Sequence, residues 1–492
     1  MNNKLSIFTC ISFSTLLASL STPVIKLPVQ AQTRLQNSAS IAASPLQADD
    51  EAIDVFVEEL MEDSQIPGLS LAVIHDQKLI KTAGYGMLDR EQNVKTRPSS
   101  IFPIASISKP ITATAVMLLV EEGKLDLDIP ISTYLPEAPE GWNTMTLRHV
   151  LNHTAGLPEG VGEDDTQTLD GVVATAAEAP LNFQPGEAWM YSNTGYSLAA
   201  AIVEKASAQP FSEFVESRIF EPLEMNNTDV LRDSYRFGNR AMGYELIGSD
   251  IRPIDVNFNL VHRIMPMFQG SGSVTSNVVD LSRWAIALQK GQLLSAESQA
   301  EMEQFGVMNS GLAAQYGLGW ILADSNGHRN VTHGGNLWGY STSLSRFPDD
   351  QLTIIVLTNK DSEDGDGIAL KIAQQYLPSL IVDADAPAIE DENPALTVQI
   401  LDYLQGNTAA ITSTPERQLA LDRTLRGAHI NRVWANYRRN HSVESLELIS
   451  QAVHPNGTRY RYRVIEADDT RLLTAVVTPD GLVAEIGISL ED

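Results

Sequence analysis

The spacing of hydrophobic and polar positions changes several times along this chain, and each change predicts an element. From Asp49 to Gln65, apolar Ile53, Phe56, Val57, Leu60 and Met61 recur every three or four residues, which predicts a helix. Leu69 to Ile74 and Leu79 to Tyr85 read as two strands joined by a short polar turn. Ile111 to Val120 and Tyr196 to Ala206 are apolar helical runs. Leu352 to Leu357 is a short β-branched run suited to a buried strand. Strands at both ends with helices between predict one α+β domain over 49–380, its sheet assembled from distant segments.

The stretch 381–395 breaks the pattern. It holds Asp383, Asp385, Glu390, Asp391 and Glu392 with Pro387 and Pro394 and no basic residue, and reads as a linker. Beyond it, 396–492 has ten Arg and no Lys against twelve acidic residues. Leu396 to Leu404 and Arg417 to Arg438 predict helices. Ser445 to Val453, Arg459 to Glu466, Leu472 to Thr478 and Leu482 to Ser489 predict a four-strand meander, with turns at Asn456-Gly457 and Asp480-Gly481. This is a small accessory α+β domain, similar in pattern to cystatin-like or NTF2-like modules.

The N-terminus adds a compartment. Lys4, the uncharged and mostly apolar Leu5 to Leu20, and small residues at Val29-Gln30-Ala31 predict a signal peptide over 1–31, with a flexible leader over 32–48. The apolar stretch is shorter than the roughly 20 residues that span a bilayer. The chain therefore reads as exported, periplasmic or extracellular, with no integral span after cleavage. Its formal charge is −28, which argues against nucleic-acid partners. Cys10 is the only cysteine, so disulfide staples, Cys-ligated zinc and thiol catalysis have no residues to use.

Three short motifs could carry chemistry. In Ser106-Ile107-Ser108-Lys109, a serine and a lysine three apart share one helix face. Serine needs a neighbouring base to become nucleophilic, and a lysine whose pKa is lowered by burial can serve. Of the eleven lysines only Lys109 has a serine three residues before it. Tyr191-Ser192-Asn193 offers a phenol that can shuttle a proton and an amide that can bind substrate. Thr332-His333-Gly334-Gly335-Asn336 offers glycines that permit close backbone approach. A Gly-x-Ser-x-Gly elbow, a His-Glu-x-x-His helix and a phosphate-cradling loop are all missing. His153, His149 and His75 read as structural.

Taken in order, Ser-x-x-Lys, Tyr-x-Asn and His-x-Gly resemble the class C β-lactamase and D-Ala-D-Ala carboxypeptidase superfamily, the β-lactamase-related serine hydrolases. Thr146 to Pro158, Glu221-Pro222-Leu223-Glu224-Met225, Gly272 to Ser276, Tyr316-Gly317-Leu318-Gly319-Trp320 and Leu357-Thr358-Asn359 are similar to further family segments. The resemblance implies an antiparallel sheet flanked by helices, with a helical lobe and the site at their junction. It implies Ser106 as acylated nucleophile, Lys109 and Tyr191 as general acid/base, and Asn193 as substrate-binding amide. The backbone N–H groups of Ser106 and Asn336 would form the oxyanion hole. No metal or organic cofactor is implied.

One departure bears on substrate. Efficient class C β-lactamases have Lys-Thr-Gly where this chain has His333-Gly334-Gly335. A histidine, mostly neutral near pH 7, and a glycine hold a substrate carboxylate less well than Lys and Thr. That favours an esterase, amidase or D-stereospecific peptidase over a β-lactamase or strict carboxypeptidase. The expected partner is a small-molecule or peptide substrate, with cell-wall fragments among the candidates. A catalytically silent muropeptide sensor or scaffold is the alternative of another class. Oligomeric state is left open.

Overall fold

The alternating runs at the two ends of the N-terminal region meet in one sheet. The computed structural model describes residues 50–159, 168–230, 239–254, 268–361, 364–423, 425–467 and 469–488, so the expected signal peptide and leader lie outside the described residues. Helix α1 (Asp50–Asp63) leads into strands β1 (Gly68–His75), β2 (Lys78–Asp89) and β3 (Val94–Lys95). A helical lobe follows, which includes α2 (Ser108–Glu121), α3 (Asn193–Ser207) and α4 (Val278–Gln289). The chain then returns through β4 (Ile321–Ser325), β5 (His328–Leu337), β6 (Tyr340–Phe347) and β7 (Leu352–Thr358) to helix α5 (Gly365–Tyr376). The strand order is β4-β5-β6-β7-β1-β2-β3, with every neighbouring pair antiparallel. The fold class is thus α+β, an antiparallel sheet flanked by helices with a helical lobe.

Side-chain alternation explains the layers. On β1, Leu69, Leu71 and Val73 join Ile53 and Val57 of α1 and Ile368 and Ile372 of α5 in one apolar cluster. Ala72 and Ile74 point the other way and join Leu281 and Trp284 of α4 and the lobe. Strands β1 and β7 are covered on both faces, which is why they read as continuous apolar runs.

The C-terminal unit comprises α6 (Pro394–Leu404), α7 (Pro415–Arg423) and α8 (Leu425–Asn440), followed by strands β8 (Val443–His454), β9 (Gly457–Glu466), β10 (Thr470–Val477) and β11 (Val483–Ile488). The four strands pair in sequence order, as a meander. The stretch expected to be helical over Arg417 to Arg438 is helical on both sides of residue 424, which lies outside the described residues. Residues 381–393 carry no helix or strand. They lie along the meander, where Ile389 N–H donates to Leu448 O at 2.8 Å.

The arginine excess of this unit has a place. On β9, Tyr462 and Val464 face the unit's own core. The alternate positions carry Arg459, Arg461 and Arg463. Arg459 pairs with Asp324 at 2.9 Å, Arg461 donates to Asn326 Oδ1 at 2.8 Å, and Arg463 donates to Ala384 O at 2.9 Å. One face of the meander therefore grips the β4–β5 turn and the preceding linker.

At the start of α5, Asp366 is partly buried against the sheet. Its Oδ1 accepts hydrogen bonds from Ser343 Oγ (2.6 Å) and Thr332 Oγ1 (3.0 Å), and burial pushes its carboxyl up to about 6 from 3.8. Folding therefore takes up a proton between these values. The group's contribution to stability is fully present below about pH 4 and lost as pH rises through 6. Asp366→Asn keeps an acceptor for both hydroxyls and removes the buried charge. It is expected to stabilise the chain by about 1–2 kcal/mol at pH 8 and by nothing near pH 4, measured by urea unfolding across that range.

Candidate active site

Ser106 sits in a single 3-10 turn, Ala105–Ile107, that runs directly into α2. The turn is strained: Ala105 has φ +48°, a conformation that costs a non-glycine residue about 1–2 kcal/mol. Its neighbours hold it there. Ser108 Oγ donates to Ala105 O at 2.7 Å and accepts from Val274 N–H at 3.1 Å, while Ile104 N–H donates to Val274 O at 3.0 Å.

At the second position of α2, about one turn beyond Ser106, Lys109 is fully buried. Its Nζ donates to Ser106 Oγ at 3.0 Å, to Asn193 Oδ1 at 2.8 Å and to Ser271 O at 2.7 Å. It also lies 4.6 Å from the centroid of the Tyr191 ring. Helix α3 places Asn193, because Ser192 caps it by accepting from Gly195 N–H at 3.2 Å. Three of the positions singled out from sequence, Ser106, Tyr191 and Asn193, thus surround the ammonium of the fourth.

Strand β5 forms the opposite wall. An added Cβ at Gly335 would come within 2.3 Å of Ile104 O, and one at Gly334 within 2.5 Å of the Asp366 carboxylate. These glycines bring the strand against the protein's own nucleophile turn and α5, a closer fit than the ligand approach expected of them. Leu337 and Tyr340 close a two-residue hairpin loop, and such a loop closes on a hydrogen-bonded pair. By alternation, Gly334 and Asn336 then turn their backbone groups to the other edge. Strand β4 has already ended there, at the pair Ile321 and Thr332. Among the described residues no strand pairs the edge that Asn336 N–H faces, one residue beyond the Gly335 contact with the Ile104 carbonyl, and its side chain is held by Ser341 Oγ at 2.8 Å.

His333 behaves differently from the expectation of a substrate-binding side chain. It is 2% exposed, its Nδ1 lies 2.6 Å from Gly334 O, and its Nε2 lies 2.8 Å from the Tyr316 hydroxyl. Those partners assign the proton to Nδ1 and make Nε2 the acceptor. Burial, and then the Lys109 charge, push its pKa down to about 3. It is a neutral, inward-facing ring.

Residues 53–377 match the Beta-lactamase family model. Penicillin-binding protein 4* of Bacillus subtilis (strain 168) is 32% identical over 394 residues, covering 75% of this chain and 86% of the relative. The chain belongs to the beta-lactamase family. The octameric penicillin-binding protein homologue from Pyrococcus abyssi shares its fold, with TM-score 0.59, 21% identity and coverage of 90% of this chain and 98% of that one. D-amino acid amidase from Ochrobactrum anthropi SV3, solved with L-phenylalanine, has TM-score 0.58 and 25% identity over 68% of this chain and 99% of its own. As a member of this family, the chain is a serine hydrolase by kinship.

Two residues of this family member gain a role beyond the sequence reading. His153 brackets Tyr191: its carbonyl accepts from Met190 N–H at 2.9 Å, and its Nδ1 accepts from Ser192 N–H at 3.1 Å. Its ring centroid lies 4.4 Å from that of Tyr191. The left-handed φ of +63° at His153 makes this double grip possible. Tyr316, within the quoted Tyr-Gly-Leu-Gly-Trp segment, orients His333. The only sequence hint for either was its place in a family segment.

His153→Ala removes the Ser192 acceptor and leaves alanine in a left-handed conformation. It is expected to lose about 2–3 kcal/mol of stability and to lower kcat about 100-fold. His153→Asn, whose Oδ1 falls near the position of Nδ1 and which tolerates positive φ, is expected to recover most of the stability and part of kcat. Thermal unfolding and steady-state ester hydrolysis check both.

Proposed function

We propose that this chain is an exported serine hydrolase that forms an acyl-enzyme at Ser106 on a small ester, amide or D-configured peptide. The observation that carries the proposal is the buried Lys109 ammonium 3.0 Å from Ser106 Oγ, opposite the β5 edge that presents Asn336 N–H.

In the acylation step, Ser106 Oγ attacks the substrate carbonyl carbon as its proton passes to Tyr191 in its phenolate form beside the Lys109 ammonium, or to Lys109 in its neutral amine form. The oxygen that becomes negative is held by the N–H groups of Ser106 and Asn336, donors that need no reorganisation as the charge develops. The C–O or C–N bond then breaks, and the leaving group departs with the proton the pair received. Water repeats the sequence on the acyl-enzyme and frees Ser106. Asn193, whose Oδ1 accepts from Lys109 at 2.8 Å and whose Nδ2 donates one hydrogen to Glu159 Oε1 at 3.4 Å, keeps one N–H for the substrate.

Substrate choice follows from His333. A neutral ring bonded to Tyr316 supplies no cation to a free carboxylate, so substrates without a terminal carboxylate are preferred. Similarity to a protein named D-amino acid amidase supports that preference and D-configured substrates, and similarity to one named a penicillin-binding protein supports penicillin as a probe of the site. Export rests on Lys4, the apolar Leu5 to Leu20 and the small residues before Gln32.

The test pairs the wild type with Ser106→Ala on p-nitrophenyl esters, D- and L-amino acid amides and benzylpenicillin, the last followed by intact-protein mass. The expected result is ester and D-amide hydrolysis that falls about 10³-fold or more in Ser106→Ala at unchanged melting temperature. A slowly released penicillin adduct is expected on the wild type alone. Equal activity in both proteins would falsify the mechanism.

A further inference from the structure

Among the described residues, the C-terminal unit touches the catalytic domain at the β4–β5 turn and along the segment before Tyr191, and only the second region leads to the active site. Along that segment Leu419 of α7 also packs against Phe183, Ala188 and Met190. Strand β9 grips the β4–β5 turn through Arg459 and Arg461. At the other place, Val476 of β10 and Ala484 of β11, 1% and 0% exposed, pack in one apolar cluster with Trp189, Met308, Ala314 and Tyr316. Tyr191 packs against the same cluster. Trp189 precedes Tyr191 by two residues, and Tyr316 is the residue that orients His333.

Polar contacts reinforce this second site. Asn456, buried at the turn between β8 and β9, bonds Ala313 twice: Ala313 N–H donates to Asn456 Oδ1 at 2.8 Å, and Asn456 Nδ2 donates to Ala313 O at 2.9 Å. A side-chain amide thus pairs with backbone as a neighbouring strand would. Nearby, Gln315 Nε2 donates to Glu485 Oε2 at 2.5 Å. The clasped hairpin, Gly306–Val307 with Ala313–Ala314, reaches the Tyr191 segment in turn. Asn309 N–H donates to Gly186 O at 2.9 Å, and Asn309 Nδ2 donates to Pro185 O at 3.1 Å.

We infer that the C-terminal unit is a positioning part of the active site: Asn456 and Val476 clamp the 306–316 hairpin against the segment that carries Tyr191. The inference rests on the hydrolase reading for its catalytic consequence and on the contacts alone for its structural one. The unit then does more than append a second fold. It supplies the outer support of a wall whose inner face is Tyr191, His153 and Tyr316. Without that support, the hairpin has an unpaired edge at Ala313, and the Trp189–Tyr316 contact loses its apolar cover.

The test uses the full chain with Asn456→Ala, Asn456→Asp, Val476→Ala and, as comparison, Arg459→Ala. Arg459→Ala removes the Asp324 contact at the turn and leaves the Asn456 and Val476 contacts to the hairpin in place. Hydrogen exchange is read at the Ala313, Met190 and Ser192 amides, beside kcat and KM for a p-nitrophenyl ester. In Asn456→Ala and Val476→Ala, Met190 and Ser192 are expected to exchange at least about fivefold faster. Their kcat is expected to fall about tenfold with KM within about twofold of wild type. Asn456→Asp, which keeps the acceptor for Ala313 N–H, is expected to recover part of both, and Arg459→Ala to change neither. If Ala313 exchanges faster in Asn456→Ala while Met190, Ser192 and kcat stay at wild-type values, the inference is overturned. Should the wild type hydrolyse none of the esters and amides and form no penicillin adduct, the hydrolase reading fails separately, and exchange at Met190 and Ser192 alone decides the positioning claim.

Discussion

A fully buried ammonium organises this molecule. Removing a lysine charge from water costs several kcal/mol unless acceptors surround it. Here they come from three places far apart in the chain: Ser106 on the strained turn, Asn193 at the start of α3 and Ser271 beyond it. Each can reach Lys109 only if its own segment is in place. The 104–108 turn depends on Val274, α3 depends on its Ser192 cap, and β5 can close on the turn only because position 335 lacks a side chain. The charge that would serve the chemistry is therefore also the one that ties lobe and sheet together.

Around that charge the structure spends its aromatic and imidazole groups on orientation. His333 and His153 are both buried, and both use ring nitrogens on internal partners, the Tyr316 hydroxyl in one case and a backbone N–H in the other. Neither is arranged to meet solvent ions. Among the described residues, Lys109 is the enclosed cation at this site and His333 adds none. This separates it from a pocket built around a fixed lysine on the β5 strand.

The arginine-rich meander shows the same economy in a second place. Alternation on β9 sends Tyr462 and Val464 into the unit's own core and leaves the arginines for docking. Arginine suits this work, since its planar fork can reach carboxylate, amide and carbonyl oxygens at once. Composition had shown the ten arginines without saying what they face.

Much of the fold was legible from residue order, because period-two and period-3.6 spacing records which local positions are buried. The helices α1, α2 and α3, the strands β1, β2 and β7 and the four-strand meander could all be read this way. Ser106, Lys109, Tyr191 and Asn193 stood out as short motifs, but roles for them came from the resemblance of their order to a family, and the tertiary structure is what brings them together around one ammonium. What periodicity cannot record is the partner across space. That His333 turns inward to Tyr316, that Gly334 and Gly335 make room for Asp366 and the Ile104 carbonyl, and that Asn456 clasps Ala313 are meetings of segments up to 231 residues apart. Local spacing says that a side chain is buried, and only the packing of distant backbones says against what.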